Sequence, residues 1–280
     1  MSAPQQVWGS LPQAERDAAY NNNAAVPDSA AWVAARDAAS ASFRAAYAGK
    51  LDLAYGPAPR QAFDLYPAAD ASAPCLVFIH GGYWQRNSRE VFAAYAEGML
   101  AAGWSVAMPS HTLAPEASLT RIVAEIGTAL DWLASDGPAH GIAGPVVLCG
   151  WSAGAHLTAL HLKHPRVAAG LAISGVYELA PIRDTFLNAA LKLTDEEIAT
   201  LSPLRLPPPM KRLTIAYGTA EVPALVHDSR SLYALRASAG AAGHLIPITN
   251  ANHFSILDEL RQPGGRLVRA AVALLDGACA

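Results

Sequence analysis

The sequence predicts an α/β protein with a mostly parallel central sheet flanked by helices. Short apolar runs, typical of strands buried on both faces, alternate with longer segments of helical periodicity. A chain of 280 residues is also long enough to bury one large core, so we expect a single domain over residues 1–280. The predicted strands are 75–79, 104–108, 145–149, 168–173, 212–217 and 244–249.

Two segments fall outside this alternation. Residues 1–50 are predicted to form an N-terminal helical arm, with helices at 11–20 and 29–48 and Ser29 as the cap of the second. Residues 175–210 contain short helices interrupted by prolines, which favours a cap or lid insertion. We expect one face of the second arm helix to pack on the domain. That face carries Trp32, Arg36, Ala39, Phe43 and Tyr47.

Composition narrows the class of protein. The formal net charge of −3 gives no reason to expect a nucleic acid or an anionic membrane as a partner, and no run of about 18 apolar residues is present. The N-terminal residues lack the pattern of a signal peptide. Cys75 and Cys149 fall at predicted strands and Cys279 near the end, which argues against a disulfide framework. We expect a cytoplasmic protein; its oligomeric state, including a homodimer, stays open.

The sequence from Gly150 to Gly154 has the pattern G-x-S-x-G. It lies between the apolar run 146–149 and a helix-like stretch at 155–163, which is the context of a nucleophile elbow. Such a turn is so tight that only small residues fit beside the serine. The pattern therefore predicts Ser152 as a nucleophile.

A serine hydroxyl needs a base to take its proton. In this motif class the histidine follows the serine and the acid along the chain. His253 comes directly after the predicted strand 244–249, on a loop at the strand ends, and is the predicted base. His227, inside a helical stretch, and His244, at the start of a strand, are the weaker alternatives.

The third member of a triad holds the imidazole and stabilises its cationic form. Glu221 lies in the loop that follows the predicted strand 212–217, where this class of fold places its acid, and is the predicted partner of His253. Asp228 is the rival, although it falls a turn or two into the next helix. Asp258 follows the histidine and so breaks the expected order.

Acyl transfer also needs donors for the developing oxyanion. The strand 75–79 runs into His80-Gly81-Gly82-Tyr83-Trp84, which has the form of a glycine-rich oxyanion loop. Glycine allows the backbone to approach the substrate closely. We expect the donors to be the backbone amides of Gly82, Tyr83 and Ala153.

The remaining histidines do not predict a metal site. His156, His161 and His164 fall on the helix after the elbow, but no carboxylate stands at ligand spacing and no His-Glu-x-x-His pattern is present. We interpret them as packing or solvated residues. The predicted chemistry requires no cofactor.

These motifs together resemble the α/β-hydrolase fold and, within it, the kynurenine formamidase (arylformamidase) group. The likeness extends over nearly the whole chain. It departs from the group at Glu221, where an aspartate is usual, and at His111-Thr112, where related esterases often have Tyr-Arg. The supporting motifs are Tyr20-Asn21-Asn22, Tyr55-Gly56-Pro57, Phe63-Asp64-Leu65-Tyr66-Pro67, His80-Gly81-Gly82-Tyr83-Trp84, Leu113-Ala114-Pro115-Glu116 and His253-Phe254.

The resemblance implies a serine hydrolase that cleaves N-formylkynurenine to kynurenine and formate, a step of tryptophan catabolism. Its partner would be a small aromatic amide or ester. The aromatic leaving group is expected to stack on Trp84, Trp151 and Tyr177, and Tyr20 and Asn21 of the arm are candidates to reach the pocket. A short-chain carboxylesterase or carbamate hydrolase is the alternative function. A non-catalytic binding protein on the same fold is a remote one.

Overall fold

The computed structural model describes residues 8–276, in which eight strands form one sheet. The spatial order is β1-β2-β4-β3-β5-β6-β7-β8; β1 and β2 are antiparallel to their neighbours, and the pairs from β4 to β8 are parallel. All six predicted strands are present within two residues of their expected bounds. The strands are β1 Lys50–Ala54, β2 Ala62–Tyr66, β3 Cys75–Ile79, β4 Ser105–Pro109, β5 Val146–Trp151, β6 Val167–Ile173, β7 Leu213–Gly218 and β8 Leu245–Ile248.

Helices cover both faces of the sheet. The two faces are separate cores because successive strand residues point in opposite directions. In β3, Val77 packs with the side of the sheet that includes residues of α5, α6 and α10, whereas Phe78 packs with the side that includes residues of α3, α4 and α12. The helices are α1 Gln13–Ala18, α2 Asn22–Ala25, α3 Ser29–Ala46, α4 Glu97–Ala101, α5 Leu119–Ser135, α6 Ala153–His161, α7 Ala180–Arg183, α8 Asn188–Leu191, α9 Asp195–Leu201, α10 Pro223–Ser238, α11 Asp258–Arg261 and α12 Arg266–Ala273. Turns of 3-10 helix lie at Trp8–Ser10, Glu90–Ala96, Gly137–His140, Pro203–Arg205 and Ser255–Leu257.

The strands β1 and β2 were not predicted, and Asp64 explains why β2 was missed. This fully buried carboxylate interrupts an otherwise apolar run, which hides the strand from a hydrophobicity pattern. Arg44 of α3 and Arg89 donate to it at 2.7 and 2.9 Å. Burial alone would raise the pKa of Asp64, but these hydrogen bonds hold it below its usual value. The ion pair between Arg44 and Asp64 also joins the arm to the sheet.

The arm differs from its prediction in three details. A further short helix, α2, separates the two expected ones. The N-cap of α3 is Asp28, in left-handed conformation at φ 56°, and Ser29 instead donates its hydroxyl to the carbonyl of Asn23. Phe43 is buried and the Arg36 guanidinium lies 4.5 Å from the Phe92 ring, so the predicted face does contact the domain at its centre. Its two ends, Trp32 and Tyr47, are 37% and 38% exposed.

Residues 175–210 fold into α7, α8, α9 and the 3-10 turn Pro203–Arg205. Leu179, Ile182 and Leu191 bury their side chains against the α5 side of the sheet. Glu197 closes a capping box with Thr194 and also accepts hydrogen bonds from the amide and hydroxyl of Thr120, at 3.0 Å each. The segment therefore packs on the body of the protein through both apolar and polar contacts.

Three further sequence expectations concern the cysteines, membrane spans and metal ligands. Cys75 and Cys149 are buried free thiols, and Cys279 lies outside the described residues. Between residues 8 and 276 no helix is both long and apolar enough to span a bilayer. No three His, Cys, Asp or Glu side chains in that range are grouped as a metal site would require.

Candidate active site

The elbow holds Ser152 in a strained backbone conformation between β5 and α6. Its φ of 58° and ψ of −120° lie in a region that residues other than glycine rarely occupy. A Cβ on Gly154 would come within 2.0 Å of the Ile79 carbonyl oxygen, and one on Gly150 within 2.1 Å of the Gly154 carbonyl oxygen. Both glycines are therefore required by close approach of the backbone. The strained turn places Ser152 on the wall of a cavity.

The structure brings His253 to Ser152. Its Nε2 lies 3.1 Å from the serine Oγ, within hydrogen-bond distance. The Trp151 indole N–H donates to the His253 carbonyl at 2.9 Å, and the two ring centroids are 4.6 Å apart. Trp151 thus fixes the histidine loop from the residue directly before the nucleophile. The alternatives lie elsewhere: His227 is exposed on α10 and pairs with Ser231 one turn later, and His244 precedes β8.

Glu221 faces the other side of the His253 ring. Its Oε1 accepts from the Gly218 amide at 3.1 Å and from the Ser174 hydroxyl, which leaves Oε2 directed to the histidine. The distance from Oε2 to His253 Nδ1 is 3.7 Å, close enough for an ion pair but longer than a hydrogen bond. Catalytic contacts in sites without substrate are often this loose and shorten in the complex.

The first rival acid, Asp228, has a structural role of its own. The Asp228 carboxylate accepts from the backbone amides of Tyr177 and Glu178 at 2.6 and 3.2 Å, and so anchors the start of the 175–210 segment. Burial raises its pKa to about 7. Asp258 is the first residue of α11. Neither is paired with His253.

The glycine-rich loop lies directly against the elbow. A Cβ on Gly81 would be 2.7 Å from the Trp151 carbonyl oxygen and 2.8 Å from the Ser152 Cβ. The loop then turns through three positive φ values, 119° at Gly82, 50° at Tyr83 and 58° at Trp84. In the part of the chain that the structure describes, the amides of Gly82, Tyr83 and Ala153 donate to no protein acceptor. Three unpaired donors beside a serine are what an oxyanion site needs.

The arm holds this loop by the Tyr83 side chain. The Tyr83 hydroxyl donates to the Tyr20 carbonyl at 2.8 Å and accepts from Asn22 Nδ2 at 3.0 Å. Asn21 uses its own side chain to cap α2, accepting from the Ala24 amide at 3.1 Å. Tyr20 and Asn21, the two arm residues expected near the pocket, both line the cavity.

The cavity has a volume of about 190 Å³ and is walled by the elbow, the loop and the arm. Two of the aromatic residues predicted to line it do not. Trp84 is 1% exposed and packs edge-on against His156, and Tyr177 is fully buried in the core. Because the backbone at Trp84 is left-handed, its indole points into the core and away from the substrate space. The lining residues are Tyr20, Asn21, Asn22, Asn23, Val33, Arg36, Gly82, Tyr83, Arg86, Asn87, Trp151, Ser152, Phe186, His253 and Phe254.

Three buried histidines, His80, His111 and His156, and the half-buried His161 are neutral packing groups. His80 and His111 stack with centroids 4.9 Å apart, and His156 and His161 each bond a backbone carbonyl, at 2.7 and 2.8 Å. Burial lowers the pKa of His80, and it lowers the pKa of each of the other three to about 4. These rings are therefore uncharged at neutral pH.

Comparison with known proteins agrees with this architecture. The BD-FAE family model matches residues 63–165, which include the glycine-rich loop and the elbow. Kynurenine formamidases of Danio rerio and Salmo salar are 27% and 28% identical to this chain, over 75% of it and 76% of each relative. A solved structure of a protein named as a candidate thioesterase from Silicibacter sp. TM1040 has 30% identity and a TM-score of 0.83, and covers 92% of this chain and 99% of its own. Esterase LipW from Mycobacterium marinum has 18% identity and a TM-score of 0.73, with 88% of each chain covered.

The sheet order, the elbow and these similarities together show that the chain belongs to the α/β-hydrolase superfamily. It is a hydrolase of the esterase and formamidase type. Within the superfamily it is a kynurenine formamidase-like protein.

Proposed function

We propose that this protein is a serine hydrolase of small acyl compounds and that it acts as an aryl formamidase on N-formylkynurenine. The observation that carries the proposal is the 3.1 Å contact between Ser152 Oγ and His253 Nε2, on the wall of the cavity that also contains Gly82 and Tyr83. The names of the relatives support the formamide as substrate class.

In the proposed first half-reaction, His253 Nε2 takes the hydroxyl proton as Ser152 Oγ attacks the formyl carbon. The carbonyl oxygen becomes an oxyanion that accepts hydrogen bonds from the amides of Gly82, Tyr83 and Ala153. Collapse of this intermediate breaks the carbon–nitrogen bond, and the imidazolium gives its proton to the departing aniline nitrogen. A formyl ester of Ser152 remains.

In the second half-reaction, His253 takes a proton from a water molecule that attacks the formyl ester. The second tetrahedral intermediate uses the same three amides and collapses to formate, while the proton returns to Ser152 Oγ. Glu221 stabilises the imidazolium in both halves. A formyl group suits a cavity of about 190 Å³, because it leaves most of the space for the leaving group.

A fluorophosphonate probe and a substrate panel test the proposal. We expect the probe to label the wild-type protein, and Ser152→Ala to abolish labelling and lower kcat at least about 10³-fold while folding normally. Ser229→Ala is the matched control, because the Ser229 hydroxyl is buried and bonds to no other described residue. Labelling that survives in Ser152→Ala would remove this serine from the mechanism.

The panel separates the formamidase from an esterase or carbamate hydrolase. It contains N-formylkynurenine, aryl acetates and butyrates, and an aryl carbamate. We expect kcat/KM to be highest for N-formylkynurenine and to fall from acetyl to butyryl esters. If p-nitrophenyl butyrate is turned over fastest and N-formylkynurenine is untouched, the protein is a general esterase.

A further inference from the structure

Arg86 places a free positive charge on the cavity wall. It lies in the turn after the oxyanion loop, where its amide donates to the Gly82 carbonyl at 3.1 Å. Its side chain is exposed and makes no hydrogen bond or ion pair with any residue between 8 and 276. The guanidinium is therefore available to a ligand.

The second charged side chain of the cavity wall, that of Arg36, is also positive. Arg36 also lines the cavity, but it is paired with Asp37 at 2.7 Å and lies over the Phe92 ring. None of the lining residues is an aspartate or a glutamate. A cavity wall with two guanidinium groups and no carboxylate attracts an anion, and of the two groups only that of Arg86 is unpaired.

Asn22 adds a buried acceptor with no partner. The single proton of the Tyr83 hydroxyl is donated to the Tyr20 carbonyl, so this hydroxyl can only accept from Asn22. That requirement turns Nδ2 of Asn22 to the tyrosine and leaves Oδ1 as the free atom. Asn22 is 5% exposed, and Oδ1 is buried without a partner in the described structure. A buried acceptor of this kind is costly unless a ligand supplies the donor.

We propose that Arg86 and Asn22 form a subsite for the charged end of the substrate, in which Arg86 binds a carboxylate and Asn22 Oδ1 accepts from an ammonium N–H. The subsite fits a zwitterionic α-amino acid carried by the aryl leaving group. The inference rests on the proposed function and deepens it, because it assigns the residues that select the amino-acid half of N-formylkynurenine.

Arg86→Met tests the carboxylate contact, since methionine removes the charge without adding bulk. N-formylkynurenine is compared with its α-carboxamide, which has no negative charge. We expect Arg86→Met to raise KM for N-formylkynurenine about 10- to 100-fold, the range of a charge-assisted hydrogen bond, with kcat little changed. The preference for the carboxylate over the carboxamide should disappear.

Arg269→Met is the matched control, because it removes one exposed charge from α12, outside the cavity. It should keep the wild-type preference. If Arg86→Met also keeps that preference, or lowers turnover of p-nitrophenyl acetate equally, Arg86 does not bind the carboxylate.

The Asn22 contact is tested from the substrate side, because a substitution of Asn22 would also release Tyr83. The deaminated analogue of N-formylkynurenine keeps the carboxylate and the formamide. We expect its kcat/KM with the wild-type protein to be about tenfold lower. Equal values for the two substrates would overturn this part of the subsite.

The two proposals fail in different ways. A wild-type protein that hydrolyses formanilide but does not distinguish carboxylate from carboxamide would retain the proposed function and lose the subsite. If the wild-type protein cleaves no formamide, the subsite is tested instead with two aryl acetates that differ only in the presence of one carboxylate. A preference for the anionic ester that Arg86→Met abolishes would then uphold the subsite and reject the formamidase.

Discussion

Replacing Glu221 with glutamine should distinguish it from Asp228 as the acid of the triad. The substituted side chain could still accept from Gly218 and Ser174 through its one oxygen, so the loop should keep its shape. Its amide nitrogen would then face His253 Nδ1 in place of a carboxylate. A donor at that position favours the histidine tautomer with the proton on Nε2, which cannot take the proton of Ser152.

The size of the effect follows from the 3.7 Å separation of Glu221 Oε2 and His253 Nδ1. Two opposite unit charges at that distance attract by about 4–5 kcal/mol at an effective dielectric constant of about 20. This attraction is present only when the imidazole is protonated, and thus in the transition state. At about 1.4 kcal/mol per tenfold, Glu221→Gln should lower kcat about 10³-fold with little change in KM.

Asp228→Asn is the control, and the structure gives a separate reason to expect that this substitution has little effect on kcat. Burial raises the Asp228 pKa to about 7, so near neutral pH a large fraction of this group is already uncharged. An asparagine oxygen can accept from the same two amides, those of Tyr177 and Glu178. Steady-state kinetics on a short-chain aryl ester should show kcat within about threefold of wild type. The opposite ranking of the two variants would refute the assignment of the acid.

Two further predictions concern stability and the oxyanion loop. Burial lowers the pKa of His111, His156 and His161 from 6.5 to about 4, so the unfolded chain binds more protons than the folded protein below pH 6.5. The stability that depends on keeping these histidines neutral is therefore complete above pH 6.5 and is lost as the pH falls toward 4. Near pH 5 the free energy of unfolding should change by about 1 kcal/mol per pH unit for each histidine. The urea midpoint should therefore drop steeply between pH 7.5 and 5, and an unchanged midpoint would contradict the pKa shifts. Tyr83→Phe removes the hydroxyl that binds the arm and should lower kcat about tenfold on p-nitrophenyl acetate with the fold intact. Tyr95→Phe, in the opposite core, should keep wild-type kcat, and equal losses in both variants would mean that the arm does not position the loop.

The sequence predicts best what short-range pattern and steric necessity determine. The parallel strands are recognisable because burial on both faces requires continuous apolar runs, and the elbow because Gly150 and Gly154 are pressed against neighbouring backbone. β2 was missed for the complementary reason. Asp64 is tolerated there only because Arg44 and Arg89, distant in sequence, supply its hydrogen bonds.

Side-chain direction was predicted less well than position along the chain. Trp84 and Tyr177 are close in sequence to loops of the site, yet both point into the core. The direction of Trp84 depends on a left-handed backbone at a residue that is not glycine, which residue type does not reveal. Arg86 was missed because its place on the cavity wall depends on the turn that Gly82 starts.

The arm and the strand ends make different contributions to the cavity. Ser152, Glu221 and His253 follow β5, β7 and β8, where the carboxyl ends of parallel strands meet and where rigid backbone fixes their distances. The arm reaches the same cavity with Tyr20, Asn21 and Asn22 and is held by the Tyr83 hydroxyl. Since the three groups at the strand ends would act on the reacting bond of any small acyl compound, they cannot select the rest of the substrate. In our proposal, selection therefore depends on the arm and on Arg86, and a change of substrate would require changes at the cavity wall and not at Ser152, Glu221 or His253.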